Sequence, residues 1–399
     1  MTEKPFILGV DYWPQKTAMF MWREFDRTST QDDMSIISEL GFSCIRVFIL
    51  WEDFQPHPGN VPPVMLDRLV RVLGMADDRG LAVIPTLFTG YMSGLIWLPP
   101  WMLLASTAES HFQVFSQDKV RSNKPRNPYS DPEIIEAQIF FLRELVNAVS
   151  GHPALLAWNL GNRPSLWAFP PDEFSAKLWV QAMTETLQEK DDEVPVTMGF
   201  RVADLLENRG LFFRVVAQHL SYVCLQSNIP RSENPLDRAV LPFMGGITEW
   251  LAKKPVLILD FGAPTIPTVQ DEESRIIRNE GGSSLLSEDD VAEFTEETLA
   301  HLIRFKRLGA FWQSYGDYHP SIWSRPPLDS NVDERFRGIL RHDRTVKPAA
   351  AAFKSAVIKL PEAELSTEWL DMPEEDFYKN PKSNLSRLGR RFREYYSFG

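Results

Sequence analysis

The sequence predicts a single (β/α)8 barrel, an α/β fold, carrying an extended C-terminal tail. Three observations predict it. Short apolar runs alternate with amphipathic helical stretches from about residue 6 to residue 358, the pattern of parallel strands joined by crossover helices. Eight such apolar runs can be counted, the number a closed barrel needs. A chain of 399 residues, 44% hydrophobic and 24% charged, suits one barrel of ~250 residues enlarged by insertions.

The elements are read in order. Residues 6–12 form the first strand. A helix over 32–40 stops at Gly41, whose lack of a Cβ suits a left-handed helix end. The second strand, 43–50, runs into Trp51-Glu52-Asp53. Val64, Leu66, Leu69, Val70 and Leu73 recur at helical spacing over 63–78, and Gly80 ends that helix. The third strand spans 81–87. A long insertion follows, from Phe88 to about Asp131, without clear periodicity, and it carries Tyr91, Trp97 and Trp101. Such a segment reads as a functional loop, expected over or beside the barrel mouth, because exposed aromatics are costly unless they pack or bind.

Pro132 sits at a tolerated first-turn position of a helix over 132–150. Strand four is 154–160, a helix covers 179–190, and strands five and six are 196–200 and 222–226. A helix near 241–251 precedes strand seven, 256–259. The helix over 288–308 runs from acidic to basic, the charge order its dipole favours. Strand eight begins at 310–312, and a closing helix lies within 345–358. The barrel domain is thus 1–358 and the tail 359–399. The tail is acidic over 362–376, then basic and helix-like over 379–393. It reads as a solvated segment or a helix docked on the barrel flank, with a protein-partner arm as the alternative.

Composition excludes several classes. The net charge of −12 argues against a protein that tracks nucleic-acid phosphates. No apolar run reaches the length of a membrane span. The opening residues lack a basic segment followed by an apolar one, so a cytoplasmic location is expected. Cys44 and Cys224 lie in apolar runs, outside any Cys-x-x-Cys, and read as buried free thiols. The seven His show no ligand spacing, and Gly281-Gly282-Ser283-Ser284 lacks the flanking strand and Lys of a phosphate loop. No metal and no cofactor are expected.

A barrel of this kind builds its site at the carboxyl ends of its strands. Two such ends stand out, Trp158-Asn159-Leu160-Gly161-Asn162-Arg163-Pro164 and Leu257-Ile258-Leu259-Asp260-Phe261-Gly262. With Gly9-Val10-Asp11-Tyr12-Trp13-Pro14, Ile45-Arg46-Val47-Phe48, Leu50-Trp51-Glu52-Asp53 and Pro85-Thr86-Leu87-Phe88, the chain resembles the cellulase-like, family-5-type retaining glycoside hydrolases of clan A. The resemblance covers roughly 6–353. It implies a general acid/base at position 163 and a nucleophile at position 260, both Glu in the family; here they are Arg163 and Asp260. Retaining hydrolysis needs two carboxyl groups ~5–5.5 Å apart, one of them protonated, and Arg has no transferable proton at neutral pH. Arg163 either fills the emptied place and pairs with a carboxylate or recognises an anion such as a uronate or phosphate. Asp260, one methylene short, is either an ion-pair partner or a displaced nucleophile.

The resemblance further implies that Arg46 steadies the residue at 260, that Asn162 reads a sugar hydroxyl, and that Trp312 is a sugar-stacking platform. Tyr91 stands where the family carries His, and the sixth-strand tip Gln226-Ser227-Asn228-Ile229-Pro230 lacks the His and Tyr that the family carries before the Pro. Glu52 and Asp317, near strand ends, complete the candidate substrate contacts with Trp97 and Trp101. The expected function is a catalytically degenerate, glycoside-hydrolase-like barrel that binds a saccharide. The alternatives are an atypical hydrolase or transglycosylase of β-linked glycans working through Asp260, and a structural scaffold without ligand.

Overall fold

The structure, a computed structural model, describes residues 6–105, 109–206, 210–226, 236–266, 276–278, 284–356 and 367–398. Its main sheet is a parallel barrel of strands β1 (Ile7–Asp11), β2 (Cys44–Leu50), β3 (Ala82–Thr89), β4 (Trp158–Asn159), β5 (Val196–Thr197 and Gly199–Arg201), β6 (Val223–Gln226), β7 (Val256–Phe261) and β8 (Gly309–Trp312). Closure is made by β5. Its first half pairs with β4 through Trp158 and Val196, its second half with β6 through Gly199 and Cys224, and only Met198 separates them. β1 and β8 close beside each other, Gly9 opposite Phe311.

Alternation of side chains sets what fills the barrel. Cys44, Ile84, Ala157, Tyr222, Cys224, Leu257, Leu259 and Phe311 form one buried cluster on the inner face. Packing is tight enough that a Cβ on Gly9 would lie 2.4 Å from the Phe311 ring, so position 9 must be Gly. Cys44 and Cys224 are free and buried.

The outer faces carry helices α1 (Arg27–Glu39), α2 (Pro63–Asp77), α3 (Pro132–Val149), α4 (Glu173–Gln188), α5 (Phe213–Gln218), α6 (Val240–Ala252), α7 (Glu288–Arg304) and α8 (Ala350–Ser355). Local signals explain their starts. Asp26 accepts from the Ser29 N–H and Asp172 from the Ser175 N–H, satisfying exposed helix-start donors. Glu288, Asp289 and Asp290 open α7, with His301 and Arg304 in its last turn. Helix α5 and the short turn Val202–Leu206 have no counterpart in the sequence reading, since neither is long enough to show a period.

The insertion after β3 is not a structureless loop. It folds into a four-stranded sheet of Tyr91–Met92, Leu95–Trp97, Glu109–Ser116 and Lys119–Asn123. The last two make a hairpin turning at Gln117 and Asp118, both at positive φ (51° and 57°). A turn built without Gly or Asn gave the sequence no turn signal.

The tail docks. Helix α9 (Pro381–Tyr396) buries Leu388 and Phe392, and the Phe392 ring lies 5.5 Å from Phe243, 5.4 Å from Phe305 and 5.0 Å from Trp369. Arg393 pairs with Asp237 at 2.5 Å, and Arg387 with Asp371 at 2.7 Å. The basic face read from sequence is therefore spent largely on the chain itself. Residues 359–366 of the tail, 281–283 and the sixth-strand tip beyond Gln226 lie outside the described residues. Among the described residues no helix is long and apolar enough to cross a membrane.

Candidate active site at the barrel mouth

Asp11, the last residue of β1, and Arg46, inside β2, are cross-strand neighbours. The wholly buried Arg46 donates from Nε to Asp11 Oδ1 at 2.7 Å and from Nη2 to Asp11 Oδ2. The same Nη2 reaches Asp260 Oδ1 at 2.6 Å. From the opposite side Arg163 Nη2 donates to Asp260 Oδ2 at 2.7 Å. Both oxygens of Asp260 are thus held by guanidinium groups.

Local backbone makes this meeting happen. Asp260 has φ 58°, and the pairing of β7 with β8 slips between Ile258 and Phe261. The bulge lets Asp260 follow the inward Leu259 into the same mouth. Arg163 is also left-handed, at φ 48° and ψ 49°. Non-Gly residues in this region are uncommon, so Asp260 and Arg163 both carry strained backbone that the surroundings must hold.

Gln226 does much of the holding. Its Oε1 accepts from the Arg163 backbone N–H at 2.7 Å, and its Nε2 donates to Asn162 Oδ1 at 2.5 Å. A Cβ at Gly199 would sit 2.5 Å from Gln226 Oε1, which requires Gly there. Asn162 Nδ2 in turn donates to the Tyr91 carbonyl at 2.9 Å.

The electrostatics follow from burial and these pairs. Burial resists ionisation of Asp260, but the charges of Arg163 and then Arg46 overcome it and hold its carboxyl well below the usual range. At Asp11 burial wins over the Arg46 pair, and the neighbouring Asp260 charge adds to it, pushing the carboxyl up to about 8. The cluster therefore sets a clamped, ionised Asp260 beside an Asp11 carboxyl whose burial favours its protonated form.

A clasp roofs this cluster. Ser93 Oγ donates to Glu334 Oε2 at 3.0 Å, Asn331 Nδ2 donates to the Ser93 carbonyl at 3.0 Å, and Arg337 Nε pairs with Glu334 Oε1 at 2.9 Å. Arg337 Nη1 donates to Gln313 Oε1 at 2.5 Å. Between cluster and clasp remains a cavity of about 60 Å³, against ~300–1,000 Å³ for ordinary small-molecule pockets.

Of the residues singled out in the sequence, Arg46, Tyr91, Asn162, Arg163 and Asp260 line this cavity, and Gln226 supports it from behind. The other five stand elsewhere. Trp312 follows the inward Phe311 and so points outward, edge-on to Phe261 and Phe353, its Nε1 donating to the Arg337 carbonyl. Glu52 latches the hairpin tip, accepting from the Gln117 N–H at 2.8 Å and pairing with Arg23 at 3.5 Å. Asp317 is buried against Lys347 Nζ at 2.7 Å and accepts from the Gly338 N–H. Trp97 packs on Phe20 and Phe115, and Trp101 on Trp51, so both are spent joining the insertion to the segments that follow β1 and β2. The sequence reading missed Gln313, Tyr318, Glu334 and Arg337, which also line the cavity. Gln313 was findable as the next inward position after Phe311; Glu334 and Arg337 arrive on a loop with no motif. Among the described residues no cluster of His, Cys, Asp and Glu could hold a metal ion.

No family model and no curated protein matches the chain. Solved structures do resemble it. A GH5_18 protein from Streptomyces cattleya, in complex with GlcNAc, has a TM-score of 0.70 at 21% identity over 89% of this chain and 82% of its own. The exo-beta-1,4-mannosidase Op5Man5 from Opitutaceae bacterium strain TAV5 has a TM-score of 0.69 at 23% identity, over 88% of this chain and 58% of its own. A GH5_18 protein from Bifidobacterium longum subsp. infantis has a TM-score of 0.70 at 18% identity, over 88% and 77%. The likeness establishes the shared (β/α)8 barrel fold.

Proposed function

We propose that this barrel binds a saccharide at its mouth and does not hydrolyse it. The observation that carries the reading is the double clamp on Asp260. A nucleophile needs a free oxygen aimed at the reacting carbon, and both oxygens are engaged by cations, at 2.6 Å and 2.7 Å. The opposite position offers Arg163, which has no proton to give a leaving group and would set positive charge beside a developing oxocarbenium ion. The saccharide comes from the fold's relatives, one described in complex with GlcNAc and another named a mannosidase; fold alone does not assign activity.

A second reading has one observation in its favour. Asp11 lines the same cavity and keeps its proton up to about 8, so an atypical hydrolase would have an acid there. A panel of aryl β-glycosides separates the two. The degenerate reading expects no turnover above background from the wild type, little from Arg163→Glu, and measurable retaining hydrolysis only when Arg163→Glu is combined with Asp260→Glu. Robust wild-type turnover abolished by Asp260→Asn would overturn it.

A further inference from the structure

Among the described residues, two buried donors in the mouth have no protein acceptor, while a third, Nε of Arg337, makes no hydrogen bond but lies in ion-pair contact with Glu334. One is Nη1 of Arg46, whose other nitrogens are spent on Asp11 and Asp260. The other is Nε2 of Gln313, whose amide orientation is fixed because its Oε1 already accepts from Arg337. Leaving such groups unpaired is costly, more so for a charged guanidinium. Both residues line the 60 Å³ cavity, and the unpaired atoms are all donors.

We infer that the mouth receives a carboxylate borne by its ligand, so that the saccharide is a uronate, its acidic group seated against Arg46 and Gln313. The inference rests on the saccharide reading above and names the chemistry it lacks. A carboxylate presents only acceptors, so it answers two donors without bringing a proton that needs a partner of its own. A sugar hydroxyl would bring one. The cavity admits a group of carboxylate size and not a pyranose ring, which leaves the ring outside, toward the clasp. Trp13 and Phe48, stacked on each other at 5.2 Å, form the apolar side of the cavity, with the Arg46 guanidinium over the Phe48 ring at 4.6 Å. The charge balance agrees: with Asp11 protonated, the guanidiniums of Arg46, Arg163 and Arg337 outnumber the carboxylates of Asp260 and Glu334.

The test uses the full chain and pairs of oligosaccharides differing only at one terminal carbon, glucuronate or galacturonate against the C6-reduced neutral twin, titrated calorimetrically. The uronate is expected to bind ~10-fold or more tightly than its twin. Gln313→Leu, which keeps the volume and removes the donor, should abolish that preference. Circular dichroism checks that the variant is folded. Equal affinity for twin and uronate, or a preference that survives Gln313→Leu, overturns the inference and leaves the saccharide reading standing. Tighter binding of the matching 6-phosphate sugar also overturns it. Binding of acetate that is lost in Gln313→Leu, with no oligosaccharide bound, upholds the carboxylate seat and sinks the saccharide reading. Absence of all binding overturns both.

Discussion

Arg163 and Asp260 should be coupled energetically, and a double-mutant cycle of Arg163→Met and Asp260→Asn measures it. The two side chains are 19% and 7% exposed and 2.7 Å apart. With charge centres ~4 Å apart and an effective dielectric constant of ~20, the gross attraction is about 4 kcal/mol, and desolvation takes back a large share. The net coupling expected is about 2 kcal/mol. Breaking a buried pair ordinarily costs ~3–5 kcal/mol, but Arg46 still holds Asp260 at 2.6 Å. Arg163→Met should therefore cost only ~2–3 kcal/mol, Asp260→Asn a similar amount because Arg46 keeps Asp11, and the double variant less than their sum by the coupling. The measurement is urea unfolding at pH 7, read as the shift in midpoint at constant m. The depressed Asp260 carboxyl contributes its stability above the ordinary carboxylate range and loses it as pH falls through the folded value, so the coupling should fade only in acid. Two substitutions additive to within ~0.5 kcal/mol would show that the pair carries no net energy and would remove the physical basis of the clamp.

Other expectations concern separate parts of the molecule. Asp11 binds its proton more tightly folded than unfolded, so its stabilisation is complete below pH ~4 and lost as pH rises toward 8; Asp11→Asn should flatten the fall in unfolding midpoint between pH 6 and 8, above the range where Asp33 and Asp317 titrate at about 6. Phe392→Ala empties the contact between tail and barrel and should cost ~3–5 kcal/mol, with earlier proteolytic release of the tail. Glu52→Ala should raise amide exchange at Gln117 by an opening worth ~1–2 kcal/mol while leaving ligand affinity unchanged, because Glu52 holds the hairpin and does not line the mouth.

The fold was legible because apolar periodicity survives wherever strands and helices are long enough, as in β2 and α2. It failed where elements are short. β4 forms a regular ladder only over Trp158–Asn159 where the apolar run suggested seven residues, although Ala154 and Leu156 still bond to Val83 and Leu160 to Thr197, so the run reports the path of the chain and not an unbroken strand. The tips of β4 and β7 gave Asn162, Arg163 and Asp260, since position at a strand end is a sequence property, while Arg46, inside β2, was legible through the family resemblance of Ile45-Arg46-Val47-Phe48. Trp312 shows the limit. One residue of parity decides whether a side chain faces the barrel or the helices, and Phe311 takes the inward place. Glu334 and Arg337 were invisible because what brings them to the mouth is the path of a loop, held by Lys347 on Asp317 and by Ser93, and no local pattern encodes that path.

The clasp over the mouth has a kinetic consequence. Ser93, Asn331, Glu334 and Arg337 tie the third loop to the eighth across a cavity far smaller than a sugar. A ligand that brings more than its acidic group to the Arg46–Asp260 cluster must wait for those bonds to part, so entry of a sugar ring is gated by the protein's own opening. Association should then level off with rising ligand concentration and lie below the ~10⁵–10⁷ M⁻¹s⁻¹ of unhindered docking. Departure meets the same gate, which lengthens residence time without any contact being added. A mouth closed in this way is suited to holding a ligand for long intervals.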